Sequence, residues 1–266
     1  MSDFITDSSM VNQLGNQFEK MGEKADKEIV TLSPPKAEVN LPGGFIGKDE
    51  TLIKYAEVRE LNGADEEAIS KTSDASKALN VVLQRGLVAL GDNKVDKDAL
   101  DSLLAGDRDA ILLGIRIATF GKDIQVPVTC SCGTPQNLNI DLETDVEVKE
   151  LDNPIHDRVF SVETKSGVIQ VCLPNGITQR KLMESTEQNT AERVTTILSG
   201  CIVSVNGSPS MGRTTALSLG IAERETLILE IYSRNPGPRL GEVSKACKAC
   251  GSDISVSLSL ADLFRL

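Results

Sequence analysis

Apolar positions along the chain follow two different periods. Met10, Leu14, Phe18 and Met21 recur at helical spacing with Asn, Gln, Glu and Lys between them, which predicts an amphipathic helix. Ser8 or Ser9 can cap it, and Gly15 weakens it. Ser33-Pro34-Pro35 and Leu41-Pro42-Gly43-Gly44 follow, and both interrupt regular structure. Residues 1–48 therefore read as an extended arm. An apolar stripe with no domain of its own to pack on needs a partner's groove, so Met10, Leu14, Phe18 and Met21 are candidate partner-binding residues.

From Leu52 to Leu61 the pattern alternates as a strand, and Asn62-Gly63 turns the chain into the acidic helix start Asp65-Glu66-Glu67, which suits the helix dipole. Helical spacing runs from Ala78 to Leu90, and a short helix is expected over Val95–Leu104. Gly106-Asp107 then interrupts. Asp107 is placed to cap a helix over Asp109–Phe120, which Gly121 stops. Ile111, Leu112, Leu113, Ile115, Ile117 and Phe120 surround most of that helix and predict near-complete burial. Its Arg108 and Arg116 then stand at a rim or pair with an acidic group. Residues 49–129 thus form a unit of one strand and several helices.

A second unit, 143–244, has a different pattern. Arg158–Glu163 and Val168–Leu173 predict a hairpin around Ser166-Gly167, Gln179–Leu198 and Ala222–Tyr232 predict helices, and Cys201–Val205 predicts a strand closed by Asn206-Gly207. Asn235-Pro236-Gly237-Pro238 ends the last helix. The fold class is α+β, without the alternation of a βαβ chain.

Flanking this second unit lie two copies of one device. The segment from Gln125 enters as a strand and runs through Cys130, Ser131 and Cys132 to Gly133, and Asn137–Leu142 alternates on the way out. Cys247-Lys248-Ala249-Cys250-Gly251 is followed by the alternating Ile254–Leu260. Two thiolates one or two residues apart, a glycine that allows a tight reversal and a returning strand make a zinc knuckle. Cys130, Cys132, Cys247 and Cys250 are therefore expected to hold one structural Zn²⁺. Four sulfurs leave no open position for water or substrate. Disulfides within Cys-x-Cys would be strained, and an iron–sulfur cluster would need none of this ribbon symmetry. The predicted architecture is a split four-cysteine zinc ribbon, 130–142 and 245–264, with 143–244 inserted. His156 reads as an ordinary surface residue, and Cys172 and Cys201 as small buried hydrophobes.

Composition narrows the function classes. Aromatic residues are 3% of the 266 positions, with no Trp, so few platforms exist for stacking bases or sugars. A net charge of -11 repels phosphate backbones and anionic lipid, so neither nucleic acid nor membrane is an expected partner. A zinc ribbon that binds nucleic acid would need more basic charge at the second knuckle than Lys245 and Lys248 supply. With one His, no P-loop and no Gly-x-Ser-x-Gly, catalytic constellations lack parts. The N-terminus has neither the basic nor the apolar region of a signal peptide, which predicts a protein made in a reducing cytoplasm.

Glu57-Val58-Arg59-Glu60-Leu61-Asn62-Gly63-Ala64-Asp65-Glu66-Glu67, Leu104-Ala105-Gly106-Asp107-Arg108-Asp109-Ala110 running into Leu113–Gly121, the two knuckles and the closing Leu263-Phe264 together resemble the T4-type bacteriophage base plate protein family over roughly residues 50–266. Where that family carries Cys-Pro-x-Cys, this chain is one residue shorter. The resemblance implies a non-enzymatic virion protein of a contractile-tail baseplate, at or near the hub, assembled in the host cytoplasm. It implies contacts with hub, tube or tape-measure proteins. The resemblance also leaves room for an assembly chaperone.

Overall fold

The computed structural model describes residues 35–184 and 189–266. Met10, Leu14, Phe18 and Met21 lie outside the described residues. Within them, β1 (Lys36–Ile46) pairs antiparallel with β2 (Leu52–Arg59), and α1 (Gly63–Ser70), α2 (Ala75–Gly86), β3 (Leu87–Leu90) and β4 (Asn93–Lys94) follow. The sheet order is β1-β2-β3-β4.

Two expectations are corrected here. Residues 36–46, assigned to the arm, are a strand of the body, with Leu41 and Phe45 buried. The Pro42-Gly43-Gly44 run is absorbed by a register shift between Asn40 and Phe45, with Gly44 at φ 69°, a left-handed value that glycine adopts without steric cost. The helix expected to reach Leu90 ends at Gly86, because Leu87–Leu90 pairs with β2 through Val58↔Leu87 and Ala56↔Leu90. The valine and leucine side chains there serve the sheet equally well.

The turn into α1 follows its sequence. Asn62 Oδ1 accepts from the amides of Ala64 and Asp65, while Asp65 Oδ2 accepts from Asn62 N at 3.0 Å. This reciprocal arrangement is a capping box. Arg59 then clamps the Asp65 carboxylate with both terminal nitrogens, at 2.7 and 3.0 Å. Burial alone would raise the Asp65 pKa, but the Arg59 guanidinium and the Asn62 amide outweigh it and hold the carboxyl below its usual range.

After α3 (Lys97–Ser102), α4 (Ala105–Phe120) crosses the sheet and carries Ile111, Leu112 and Ile115 into the core built by Leu41, Val58, Val82, Leu83 and Leu90. Asp107 is not its cap. The helix begins two residues earlier, with Leu104 at the N-cap position and no side-chain cap, and Asp107 sits fully buried in the first turn, accepting from Gly43 N at 2.6 Å. The missing capping bond is replaced by Ala105 N, which donates to Pro174 O. Gly121, at φ 81°, ends the helix as expected. Arg108 and Arg116 turn to neutral acceptors: Arg108 donates to Leu100 O and Asn80 Oδ1, and Arg116 to Leu263 O and Gly121 O. Buried guanidinium groups here satisfy carbonyl oxygens.

Small residues let α4 approach its neighbours. A Cβ at Gly106 would overlap the Pro236 carbonyl oxygen, a backbone atom that cannot rotate away. Gly106→Ala is expected to destabilise the protein by about 3 kcal/mol, the upper end for overpacking, whereas Gly63→Ala, with nothing within 4 Å of the added carbon, should be neutral or slightly stabilising. Urea unfolding of both variants checks the contrast.

The remaining chain continues as β5 (Asp123–Thr129), β6 (Pro135–Asp141), β7 (Val148–Lys149), β8 (Val159–Thr164), β9 (Gly167–Cys172), α5 (Gly176–Glu184), α6 (Thr190–Cys201), β10 (Ile202–Val205), β11 (Ser208–Pro209), α7 (Arg213–Ser218), α8 (Ile221–Arg234), β12 (Gly237–Pro238), β13 (Val243–Ala246), β14 (Asp253–Val256) and α9 (Leu260–Phe264). A second antiparallel sheet has the order β11-β10-β9-β8, and α6 and α8 cover it through Leu198, Leu227 and Ile231. The single helix expected over Gln179–Leu198 is divided between α5 and α6. The strand expected over Ile254–Leu260 stops at Val256, and Leu260 opens α9 instead. The result is a mixed α+β fold.

Candidate metal centre

Two hairpins bring the four cysteines together. In the first, β5 and β6 pair over seven residues from Asp123↔Asp141 to Thr129↔Pro135. In the second, β13 and β14 pair from Val243↔Val256 to Ala246↔Asp253. Each hairpin tip carries one cysteine pair, and each tip turns in the same way. Cys130 N donates to Thr134 O and Gly133 N returns to Cys130 O, just as Cys247 N donates to Ser252 O and Gly251 N returns to Cys247 O. The glycine after each second cysteine has a positive φ, 84° at Gly133 and 75° at Gly251, which a side chain would strain. The extra residue of Cys247-Lys248-Ala249-Cys250 is taken up within the turn, so both tips offer two sulfurs to a common point.

The inner faces of the hairpins supply the foundation. Leu138, Ile140, Val243 and Val256 are buried together with Leu113 of α4 and Leu240, which fixes both tips relative to the long helix. The alternation of β5 and β6 explains this, because successive residues point to opposite faces and one face is apolar.

All four Sγ atoms lie within 4.8 Å of one another. Cys130 and Cys250 are 3.6 Å apart, and Cys132 and Cys247 are 4.0 Å apart. Sulfurs bonded to each other would be about 2.05 Å apart, so no disulfide links them. A tetrahedral metal with bonds of about 2.3 Å to sulfur requires edges of about 3.8 Å, which these separations bracket. Cys130 and Cys247 are buried and Cys132 and Cys250 exposed, so the site sits half sunk at the tip surface.

The surroundings suit thiolate. Gln136 Nε2 donates to Cys247 Sγ at 3.1 Å and Ala249 N to the same sulfur at 3.4 Å, while Gln136 Oε1 accepts from Lys248 N. The backbone amides of Cys250 and Ala249, with help from Gln136, lower the Cys247 pKa to about 6. At Cys130 the Cys132 amide pulls downward, but burial and the neighbouring sulfurs outweigh it and push the thiol up to about 11. Cys130 is thus raised beside a lowered Cys132 and Cys247, and a divalent cation would replace the protons of such crowded thiols. Donors to sulfur also offset the excess negative charge of four thiolates around such a cation. Four close cysteines could therefore hold one metal ion. Gln136 carried no signal in the sequence: its role depends on reaching across from one hairpin to the other, 111 positions away in the chain.

The remaining candidates stay apart from this cluster. His156 is exposed on the loop before β8. Cys201 is buried in the second sheet's core, and Cys172, partly buried, donates to Gly200 O at 3.7 Å. No helix among the described residues is long and apolar enough to cross a membrane.

A family model described as T4 bacteriophage base plate protein matches residues 54–208, more than half of the chain. The matched segment contains Cys130 and Cys132, while Cys247 and Cys250 lie beyond it. No curated protein matches the chain, and no solved structure does.

Proposed function

We propose, since this chain belongs to the T4 bacteriophage base plate protein family, that it is a non-enzymatic structural component of a contractile-tailed phage baseplate, at or beside the hub. The family match carries the reading. It spans nearly all of the second sheet, β3, β4 and most of β2 in the first, and the helix α4, so the likeness lies in the folded body. The four-sulfur cluster supports a structural role, because a metal held by four cysteines has no free position for substrate.

On this reading the metal is one Zn²⁺, ligated by Cys130, Cys132, Cys247 and Cys250. It closes a ribbon split between 130–142 and 245–264, so that residues 143–244 form an inserted unit whose two ends are clipped together. Residues 1–34 form an arm that reaches a neighbouring hub, tube or tape-measure protein through Met10, Leu14, Phe18 and Met21. The arm ends before β1, since Leu41 and Phe45 belong to the core. An arm adds contact area and tethers subunits, and loss of such a tether can weaken association by about a hundredfold or more.

Mass spectrometry of purified virions tests the reading directly. A baseplate component is recovered in fixed proportion to other baseplate proteins, whereas a chaperone is absent. A truncation removing residues 1–34 should retain the melting temperature of the full chain and lose at least about tenfold in baseplate incorporation. Normal incorporation would refute the arm.

A further inference from the structure

An exposed aromatic ring held rigidly in place marks a second surface. Phe120, at the end of α4, is 60% exposed, yet its position is fixed from two sides. The Arg116 guanidinium lies 4.8 Å from its centroid, and Phe264 meets it edge-on at 6.5 Å and 71°. Arg116 is itself pinned by Leu263 O at 2.7 Å and Gly121 O at 2.9 Å. A pre-ordered aromatic loses little entropy on binding, which is the property of an interface anchor.

Phe120 stands in a cleft of about 760 Å³ whose apolar lining includes Leu61, Ile69, Ala78, Phe264 and Leu266. Glu66, Asp74 and Arg265 add charge to the lining. Wide and mostly apolar, it suits the apolar face of a helix better than a small polar ligand.

We propose that this cleft receives the Met10–Met21 stripe of a second copy of this chain, an inference that rests on the reading of residues 1–34 as an arm. Three observations support it. Met10, Leu14, Phe18 and Met21 supply anchors at i, i+4, i+8 and i+11, with Lys20 nearby to meet Glu66 and Glu19 to meet Arg265. The described chain begins beside the cleft, for Glu60 N donates to Pro35 O at 3.5 Å and the next residue, Leu61, is part of the lining. Thirteen residues separate Met21 from Pro35, a length that spans up to about 45 Å when extended. Consecutive prolines at 34 and 35 favour extended backbone over a tight reversal, which directs the stripe to a neighbour. Two copies exchanging stripes would make a closed, self-complementary contact.

Photocrosslinking of the full chain tests this. The chain carries p-benzoyl-phenylalanine in place of Phe18 and is prepared as an equal mixture of ¹⁴N and ¹⁵N protein, across a concentration series. The expected result is crosslinks from position 18 to residues 61–78, 120 and 264–266 that join light to heavy chains. Their yield should fall at least tenfold in Phe120→Asp, which adds a charge at an exposed position, and equally in Leu14→Asp, which leaves the body untouched. Crosslinks confined to chains of one isotope, crosslinks elsewhere, or a yield unchanged by Leu14→Asp would overturn the proposal. The measurement uses purified protein, so its failure is distinguishable from absence of the protein from virions.

Discussion

Serine at both Cys247 and Cys250 is expected to abolish metal binding and unfold the region between the two hairpin tips. Wild-type protein purified without chelator should contain one zinc per chain by elemental analysis, and the double variant essentially none. The size of the effect follows from what holds the tips together. β13 and β14 pair over four residues and β5 and β6 over seven, but the two hairpins form separate two-stranded sheets. Short two-stranded ribbons are marginal in water on their own. Their shared apolar layer helps, yet a four-cysteine zinc site contributes on the order of 10 kcal/mol in small zinc domains, comparable to the whole stability of a typical protein, about 5–15 kcal/mol. Thermal unfolding of the double variant should therefore begin far below that of the wild type, and baseplate incorporation should fail with it. Titrating wild-type protein with a mercurial in the presence of a zinc-sensitive dye should release one ion as four thiols react. A double variant that folds and assembles normally would refute the metal clip.

The cysteine cluster was legible in the sequence because its signal is local twice over: a pair, a glycine and an alternating strand recur at both tips, and only the meeting of the tips is a tertiary event. The turn at Asn206-Gly207 and the end of α8 at Asn235 were legible for a similar reason, whereas the break between α5 and α6 and the short helix α7 were not. β1 was not. Its Pro42-Gly43-Gly44 run has the local chemistry of a linker, and the strand exists because Leu41 and Phe45 find the α4 core while Gly43 lets Asp107 and Leu104 come close. Asp107 failed as a prediction for the same reason. Its short carboxylate suits an N-cap, but the amide it serves is Gly43 N, 64 positions away. Arg108 and Arg116 show the limit from the other side: a sequence can say that a charge lies on a buried helix, but not that carbonyl oxygens will receive it.

Asp107 is expected to make stability fall as pH rises from about 4 to neutrality. Burial raises its pKa from 3.8 to about 7, against the opposing pull of the Gly43 amide and the Arg158 charge. Arg158 is occupied elsewhere, donating to Gly43 O at 3.1 Å and also to Gly44 O, and Asp107 Oδ2 is buried with no hydrogen-bond partner among the described residues. The sign follows from proton binding. Between about pH 4 and 7 the folded state holds a proton that the unfolded chain has released, so each unit of pH rise in that window favours unfolding. A shift of about three units corresponds to roughly 4 kcal/mol, fully present below pH 4 and lost above pH 7. Asp109, half-buried on the same turn, is raised to about 6, also by burial against the pull of Arg108, and adds to the same trend. Carboxylates whose pKa is lowered, such as Asp65 held by Arg59, act in the opposite direction only in more acidic solution. In Asp107→Asn the side-chain carbonyl still accepts from Gly43 N, but nothing titrates. Urea unfolding at pH 5.5, 7 and 8.5 should show the wild type losing stability relative to Asp107→Asn by about 2 kcal/mol across the series, the part of the window that lies above pH 5.5. Comparing the two proteins at each pH cancels the contribution of the cysteines, which is common to both. A constant difference between them would show that the Asp107 carboxyl is ionised throughout and that its burial is compensated by a donor to Oδ2.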